Sequence, residues 1–340
     1  MSTSNEVFWK QEAFHKRQIL KWLLRVLAGL IVLLIMAWAL ITQPMLPDLS
    51  ARKNAPAVDP AKLETHVRML AEQMLPRDGA HPQNLDRAAD YIRLMFAAPN
   101  GRVTEQPYDA RGHTYRNIIA SFGPEKGERI IVGAHYDAAG PKPGSDDNAS
   151  GVAGLLELAY LLGKTPPPMR VDLVAYSLEE YFRTPIMGSA IHAQSLKQQN
   201  IPIRLMISLE MIGYFSDAPD SQALPISFIK PFYPSCGNFI AVVGSLGQWR
   251  AVRRVKGAMR SGSDLPVYSL NAPRSIPGVD WSDHLNFWDA GYDAVMITDT
   301  AFLRNTRYHT INDTPDTLDY KRMAMVVQGV YAAVLDVAQK

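Results

Sequence analysis

Side chains that could bind a metal or move a proton gather around one predicted strand-to-helix junction of this 340-residue chain. His135 and Asp137 form a His-x-Asp pair, and Asp146, Asp147 and Asn148 follow a loop rich in glycine and proline. Imidazole and carboxylate groups are good ligands for zinc and its neighbours. A metal-bound histidine usually donates its other ring N–H, and Asp137 could accept it. The alternative is a polar loop with a turn at Asp147 and Asn148.

Later segments add further candidate groups, each placed where an apolar run ends. Glu179 and Glu180 are neighbours, and two adjacent carboxylates can converge on one site only where the strand ends and the backbone turns. Glu210 ends the next apolar run, where an unpaired buried carboxylate would be very costly. His309 lies in a loop after another apolar run, and functional residues collect in such loops. Taken singly, each is equally compatible with a solvated surface residue.

Apolar periodicity predicts the elements that must position these groups. A buried strand ends at His135, and a helix covers the apolar pattern from Val152 onward. Alternating strands and helices predict an α/β three-layer sandwich with a mixed, largely parallel central sheet flanked by helices. The predicted strands cover 103–108, 115–122, 129–134, 170–177, 203–211, 239–243, 267–270 and 294–298. The other predicted helices cover 61–74, 84–96, 187–199, 248–259, 282–290 and 319–338.

One segment between these elements, residues 214–234, has no clear period and is rich in proline, serine and aromatic residues. A long irregular insertion in a compact domain is often a lid or a pocket wall, and we expect that here.

The amino-terminal region predicts a membrane anchor. Residues 26–42 are unbroken apolar sequence, and the apolar stretch that starts at residue 20 approaches the roughly 20 residues needed to span a bilayer. Positively charged residues tend to stay in the cytoplasm, which predicts an inside amino terminus. The basic residues before the run are Lys10, Lys16, Arg17, Lys21 and Arg25. A cleaved signal peptide is the alternative, because residues 37–39 read Ala-Trp-Ala.

Both interpretations place the remainder of the chain on the far side of the membrane. We expect a cytoplasmic segment over 1–19, a transmembrane anchor over 20–42, a proline-rich linker over 43–60 and one folded domain over 61–340. The protein would then be a single-pass membrane protein with an extracytoplasmic domain, which is periplasmic if the source is a Gram-negative bacterium.

Composition excludes some classes of site and partner. Hydrophobic residues make up 47% of the chain, and the formal net charge of +2 implies no nucleic acid partner. Cys236 is the single cysteine, so an internal disulfide or a cysteine-based zinc site cannot form. We expect the histidines without a comparable setting to lie on the surface: His15, His66, His81, His113 and His192.

Five features, taken in chain order, resemble the di-zinc aminopeptidases of metallopeptidase family twenty-eight. They are the His-x-Asp pair, an Asp-x-x-Ser-Gly motif, the Glu-Glu pair, the strand-end acid and the late histidine. Relatives of that family include glutamate carboxypeptidase, the transferrin receptor and glutaminyl cyclase. The resemblance runs from about Asn84 to the carboxyl end. Three further segments are similar to the family as well: Leu-Glu-Met-Ile-Gly-Tyr (209–214), Ser-Asp-His-x-x-Phe (282–287) and the stretch 307–320, which begins Arg-Tyr-His-Thr.

The resemblance implies two zinc ions per chain. His135 and Glu210 would be the terminal ligands of one ion, Glu180 and His309 those of the other, and Asp147 would bridge them. Three ligand carboxylates against two dications leave one positive charge for a bridging hydroxide to cancel.

The resemblance also implies catalytic roles and a substrate. Asp137 would orient His135, and Glu179 would be the general base that takes a proton from a metal-activated water. The enzyme would remove the first residue of peptides with a free amino terminus. A glutaminyl cyclase-like acyltransferase and a non-catalytic ectodomain on the same fold are the alternatives.

Four further residues are expected to line the substrate pocket: Asp283, His284, Tyr214 and Tyr308. For Asp283 and His284, the alternative is an acid at a helix amino terminus beside a surface histidine. The chain departs from the common family pattern at Glu210, where aspartate is usual, and at residues 181–189, where the family has a plainer Gly-Leu-x-Gly-Ser form.

Overall fold

A computed structural model of the chain describes residues 3–42 and 55–339, and one mixed eight-stranded sheet forms its centre. The strands are β1 (Arg102–Ala110), β2 (His113–Phe122), β3 (Arg129–His135), β4 (Arg170–Tyr176), β5 (Ile203–Glu210), β6 (Ile240–Ser245), β7 (Val267–Ala272) and β8 (Ala294–Thr298). Their order across the sheet is β1-β2-β4-β3-β5-β8-β6-β7. Strands β4, β3, β5 and β8 run parallel at its centre, with antiparallel pairings at β1–β2, β2–β4 and β6–β8. The predicted mixed, largely parallel sheet is confirmed.

The chain begins with helix α1 (Thr3–Thr42). Seven later α-helices within the described residues pack around the sheet: α2 (Pro60–Arg68), α3 (Pro82–Ala97), α4 (Gly151–Lys164), α5 (Gly188–Gln198), α6 (Trp249–Gly262), α7 (His284–Ala290) and α8 (Tyr320–Ala338). Side chains alternate across a strand, so β3 supplies both cores. Ile130 and Val132 belong to the core beneath α4 and α8, while Ile131 belongs to the core beneath α5 and α7. All three side chains are completely buried, and each stabilises the fold by about 1.5–3 kcal/mol.

The first helix stands apart in its composition. Within α1, the stretch Phe8–Ala39 is long and apolar enough to cross a membrane, and a signal sequence would satisfy the same criterion. Most of the expected linker, residues 43–54, lies outside the described residues.

Two histidines expected on the surface are buried, so that expectation is wrong for them. The Nδ1 atom of His66 lies 2.6 Å from the hydroxyl of Tyr91, and the Nδ1 atom of His192 lies 3.0 Å from the hydroxyl of Tyr176. Burial lowers the pKa of His192 to about 4. Both histidines find polar partners on other elements, so their own neighbours in the sequence give no sign of burial.

Candidate metal centre

Four neighbouring parallel strands deliver the candidate groups to one edge of the sheet. Strand β3 ends at His135 and β5 ends at Glu210, while β4 and β8 lead into the loops that carry Glu180 and His309. Because parallel strands end at the same edge, groups far apart in the sequence meet there.

The five candidate ligands form two adjoining groups that share Asp147. The Nε2 atom of His135 lies 3.3 Å from Oδ1 of Asp147 and 3.4 Å from Oε2 of Glu210. The Nε2 atom of His309 lies 2.9 Å from Oδ2 of Asp147 and 3.4 Å from Oε2 of Glu180. Each oxygen of Asp147 therefore faces a different histidine, which is the placement a bridging carboxylate needs.

Asp147 is fixed through its backbone and its neighbours. The carboxylate of Asp313 accepts hydrogen bonds from the backbone N–H groups of Asp146 and Asp147, at 2.9 and 3.2 Å. The Asn148 amide donates to the carbonyl of Leu209 at 2.8 Å, which ties this loop to the end of β5. A Cβ atom on Gly151 would lie 2.4 Å from Oδ1 of Asn148, so the close approach requires glycine.

The regular helix α4 begins at Gly151, one residue before the predicted start at Val152. Asp147 and Asn148, just before it, have non-helical backbone angles. This extended stretch points the Asp147 side chain at the histidines rather than along a helix face.

The role of Asp137 differs in detail from the expected one. The Nδ1 atom of His135 lies 3.1 Å from the backbone carbonyl oxygen of Asp137 and 3.5 Å from its carboxylate. The two carboxylate oxygens accept the backbone N–H groups of Glu179 and Glu180, at 3.0 and 3.1 Å. Asp137 thus holds the Glu-Glu turn as well as the histidine, and it offers one physical reason why two adjacent glutamates converge on the site.

Glu210 is held by hydroxyl groups behind it. Ser282 donates a hydrogen bond of 2.8 Å to Oε2 of Glu210, and the hydroxyls of Ser282 and Ser208 lie 2.9 Å apart. The longer glutamate side chain is thereby directed at His135 despite the extra methylene.

Burial and mutual repulsion shift the ionisation of the whole cluster. Burial, together with the nearby Asp147 and Glu179, raises the pKa of Glu180 well above its usual value, and burial does the same for Glu179. Burial lowers the pKa of His135, but the carboxylates of Glu210 and Glu179 outweigh burial and hold it well above normal. For Asp147, the nearby imidazoles of His135 and His309 outweigh burial and lower the pKa.

These residues fit a bound cation. One donor atom each from His135, Asp147 and Glu180 lie within 4.8 Å of one another. Among the described residues, Nε2 of His135 and Oε1 of Glu180 are buried without a hydrogen-bond partner. Buried polar atoms normally have hydrogen-bond partners, and several negative charges close together repel one another. A divalent cation would coordinate the unpartnered atoms and reduce this repulsion.

Two cavities meet at the cluster. An open cavity of about 510 Å³ is lined by Asp147, Glu179, Glu180, Phe182, Arg183, Glu210, Trp281, Tyr308 and His309. A second cavity of about 80 Å³ is mainly apolar and shares Glu210, Trp281 and Tyr308 with the first. Its wall includes Gln222, Leu224, Pro225, Ile229 and Tyr233. The irregular 214–234 segment therefore forms a pocket wall, as expected from its composition.

Of the four expected pocket residues, the structure places only Tyr308 on a cavity wall, where it stacks on His309 with ring centroids 3.8 Å apart. Asp283 and His284 are completely buried, and His284 contacts the carbonyl of Val279. The backbone of Tyr214 donates to Asp299 behind the site. Burial raises the pKa of Asp283 to about 7 and lowers that of His284 to about 4.

Comparison with known proteins now identifies the family. Residues 117–334 match Peptidase family M28. The chain belongs to peptidase family M28. It is also 49% identical over 295 residues to the Escherichia coli (strain K12) "Uncharacterized protein YfbL", covering 84% of this chain and 90% of that protein. The Leucine aminopeptidase 1 of Blastomyces gilchristii (strain SLH14081) is 24% identical over 221 residues, covering 61% of this chain. The chain spans about half, 52%, of the length of that aminopeptidase.

Solved structures of other proteins support the same fold. LapB from Legionella pneumophila matches with a TM-score of 0.66 at 21% identity, covering 83% of this chain and 73% of its own. A glutaminyl cyclase from Bacteroides thetaiotaomicron matches with a TM-score of 0.63 at 21% identity, covering 83% of this chain and 99% of its own. The M28 fold therefore includes both peptidase and cyclase relatives.

Zinc is the metal that membership of M28 implies, and the donor set suits it. His135, Asp147, Glu180, Glu210 and His309 supply imidazole and carboxylate donors of the type zinc accepts. The described contacts place them in the two groups given above.

Several supporting residues were not predicted individually. Asp313 and Ser282 fix the candidate ligands through hydrogen bonds, and both lie in segments whose resemblance to the family did not show this role. Arg77 donates to the carbonyls of Tyr136 and Gly144 on either side of the loop before Asp147. Burial lowers the pKa of Arg77 to about 10. Arg77 precedes β1, and only a family pattern that covers this region would have predicted its supporting role.

Proposed function

We propose that this M28 member is a zinc-dependent aminopeptidase that hydrolyses the first peptide bond of peptides with a free amino terminus. The observation that carries the proposal is the convergence of five candidate ligands beside Glu179, four of which line the same open cavity as Glu179. The leucine aminopeptidase among its relatives supports the same reaction.

Two zinc ions held by the shared Asp147 would polarise the scissile carbonyl and lower the pKa of a water. Glu179 lines the cavity, and its Oε2 atom lies 3.9 Å from Nε2 of His135. Its raised pKa suits a group that accepts a proton from the attacking water and gives it to the departing amine. Asp137 holds the backbone of Glu179 and so keeps the carboxylate on the cavity floor.

The apolar cavity suggests which peptides are accepted. It opens onto the metal cluster and is walled by Leu224, Ile229 and Phe239, with Trp281 at the junction of the two cavities. An apolar first side chain placed there would lose its contact with water, at about 25 cal/mol per Å² of buried apolar surface. We therefore propose that peptides beginning with a large apolar residue are preferred.

The proposal is tested by the products formed from two matched peptides. With the purified zinc-loaded protein, Leu-Ala-amide should release free leucine, and Ser-Ala-amide should react at least about tenfold more slowly, since 1.4 kcal/mol is tenfold. Chromatography of the reaction mixture measures both. Conversion of a Gln-peptide to its pyroglutamyl form without hydrolysis would favour the cyclase alternative instead. No reaction with any peptide, at full metal content, would favour the non-catalytic ectodomain.

We also propose that residues 20–42 anchor the chain in a membrane, with residues 1–19 inside, 43–60 as a linker and 61–340 outside the cytoplasm. The helix described over α1 and the basic residues within its first half support this.

Protease added to intact spheroplasts should therefore digest the catalytic domain of the full-length protein. Domain fragments followed by immunoblotting give the readout, and a cytoplasmic marker protein should survive the same treatment. Protection of the domain until the membrane is lysed would exclude this orientation. Release of the domain in soluble form, shortened after Ala39, would favour a cleaved signal peptide.

A further inference from the structure

The segment that follows the Glu-Glu pair carries an arginine at the rim of the site. Phe182 and Arg183 line the open cavity that holds Glu179 and Glu180. Arg183 also lines a third cavity, of about 300 Å³, whose wall includes Arg274. It therefore stands between the candidate metal centre and a second space, in the stretch where the sequence departs from the plainer family form.

The Arg183 guanidinium is fixed but only partly used. Its Nη2 atom donates to both carboxylate oxygens of Asp280, at 2.9 and 2.8 Å, and Asp280 is 3% exposed. The Arg183 side chain itself remains 55% exposed. A guanidinium carries five N–H donors in a planar fork, and the described hydrogen bonds of Arg183 use Nη2 alone. Its Nε and Nη1 donors stay available to a ligand.

The backbone at Arg183 also reflects a special placement. Its φ of 58° lies in the left-handed region, which residues other than glycine, asparagine and aspartate rarely adopt. The buried Asp280 holds the side chain in this position, and Arg274 approaches the same carboxylate with its Nε atom at 3.6 Å. Asp280 thus keeps a cationic neighbour even when Arg183 is replaced.

The location of Arg183 decides which part of a peptide it can meet. The apolar cavity joins the metal centre through Glu210, Trp281 and Tyr308, and Arg183 is not part of it. The third cavity, whose wall includes Arg274, joins the metal centre through Arg183 instead. If the first side chain of the peptide occupies the apolar cavity, the departing part of the peptide extends toward Arg183.

We propose that Arg183, oriented by Asp280, binds a carboxylate in the departing part of a short peptide, so that the enzyme prefers di- and tripeptides or peptides with an acidic residue after the scissile bond. This inference rests on the proposed aminopeptidase function. A planar guanidinium with free donors matches a carboxylate in two-point geometry and makes charge-assisted hydrogen bonds.

The test compares peptides that differ only in one carboxylate, with the zinc-loaded full-length protein. Leu-Ala and Leu-Ala-Ala are each paired with their carboxy-terminal amides, and Leu-Glu-amide is paired with Leu-Gln-amide. The first two pairs report a terminal carboxylate and the third reports an acidic side chain. We expect kcat/KM to be at least about tenfold higher for the charged member of one or more pairs, mainly through KM, because charge-assisted hydrogen bonds are strong.

Arg183→Met should abolish that preference by lowering kcat/KM for the charged member of each pair to the level of its uncharged partner, because only the charged member offers a carboxylate for the guanidinium to bind. Arg183→Lys keeps the charge but not the fork and should retain a smaller preference. Arg250→Met, an exposed arginine on α6, is the matched control and should behave as the parent protein does. Thermal unfolding of each variant checks that the fold is retained.

Each outcome decides the matter. A parent protein that treats the members of every pair alike overturns the carboxylate subsite, even if no Arg183 variant folds. So does a preference that survives in Arg183→Met, or an equal loss on charged and amidated peptides. A parent protein that cleaves none of the peptides overturns the aminopeptidase function itself, and the subsite with it.

Discussion

Glu179→Gln should keep its metal content and its fold and lose about 10²–10⁴-fold in kcat, the usual contribution of a positioned general base. Glutamine has the shape of glutamate but cannot accept the proton. The backbone N–H of residue 179 would still donate to Asp137, and the side chain is not among the groups closest to either histidine. Metal analysis by mass spectrometry and steady-state kinetics on Leu-Ala-amide measure the two effects separately.

The neighbouring Glu180 provides the contrast that makes this prediction sharp. Its Oε2 atom lies 3.4 Å from Nε2 of His309, so Glu180→Gln should lose metal first and activity as a consequence. Glu64→Gln changes an exposed glutamate on α2 and is the matched control. Turnover near the parental value in Glu179→Gln would show that the catalytic assignment is wrong. Loss of zinc from that variant would show that the two glutamates have the opposite roles.

The fold was largely predictable because its central elements are locally unambiguous. Strand β3 is an uninterrupted apolar run that is buried on both faces, and α4 follows it with a strong apolar pattern. The meeting of candidate groups at one sheet edge then follows from parallel strands ending together. Such signals lie within a few consecutive residues, so the sequence alone carries them.

What could not be predicted depends on contacts between distant segments. The carboxylate of Asp137 accepts N–H groups of residues more than forty positions away, and no local pattern encodes that. The burial of His192 depends on Tyr176, and the position of Asp147 depends on Asp313. Asp283 and His284 were expected at the pocket because residues 282–284 resemble the family. The resemblance could not show that Ser282 is the residue of this group that contacts Glu210.

Asp147→Asn should cost more activity than any other single substitution considered, because it affects both proposed metal positions at once. The two oxygens of Asp147 lie 3.3 and 2.9 Å from the Nε2 atoms of His135 and His309. Asparagine retains one oxygen, places an NH₂ group opposite one histidine and removes a negative charge that would balance the cations. Metal content and activity should fall together, with the activity below that of Glu179→Gln, which keeps its metals.

A variant that fails to fold would also lose activity, so thermal unfolding is measured to distinguish a loss of folding from a loss of metal. The lowered pKa of Asp147 means that its ionised carboxylate, which faces His135 and His309, stabilises the folded metal-free protein. The metal-free variant should therefore unfold at a somewhat lower temperature than the metal-free parent, but still in one cooperative transition. Added zinc should raise the unfolding temperature of the parent, because a ligand that binds only the folded state stabilises that state. It should hardly change the unfolding temperature of Asp147→Asn. Asp316→Asn, a 77% exposed side chain, is the control. Two tightly bound zinc ions in Asp147→Asn would exclude a bridging role for this carboxylate, whereas full activity with one ion per chain would point to the single-metal arrangement of a cyclase.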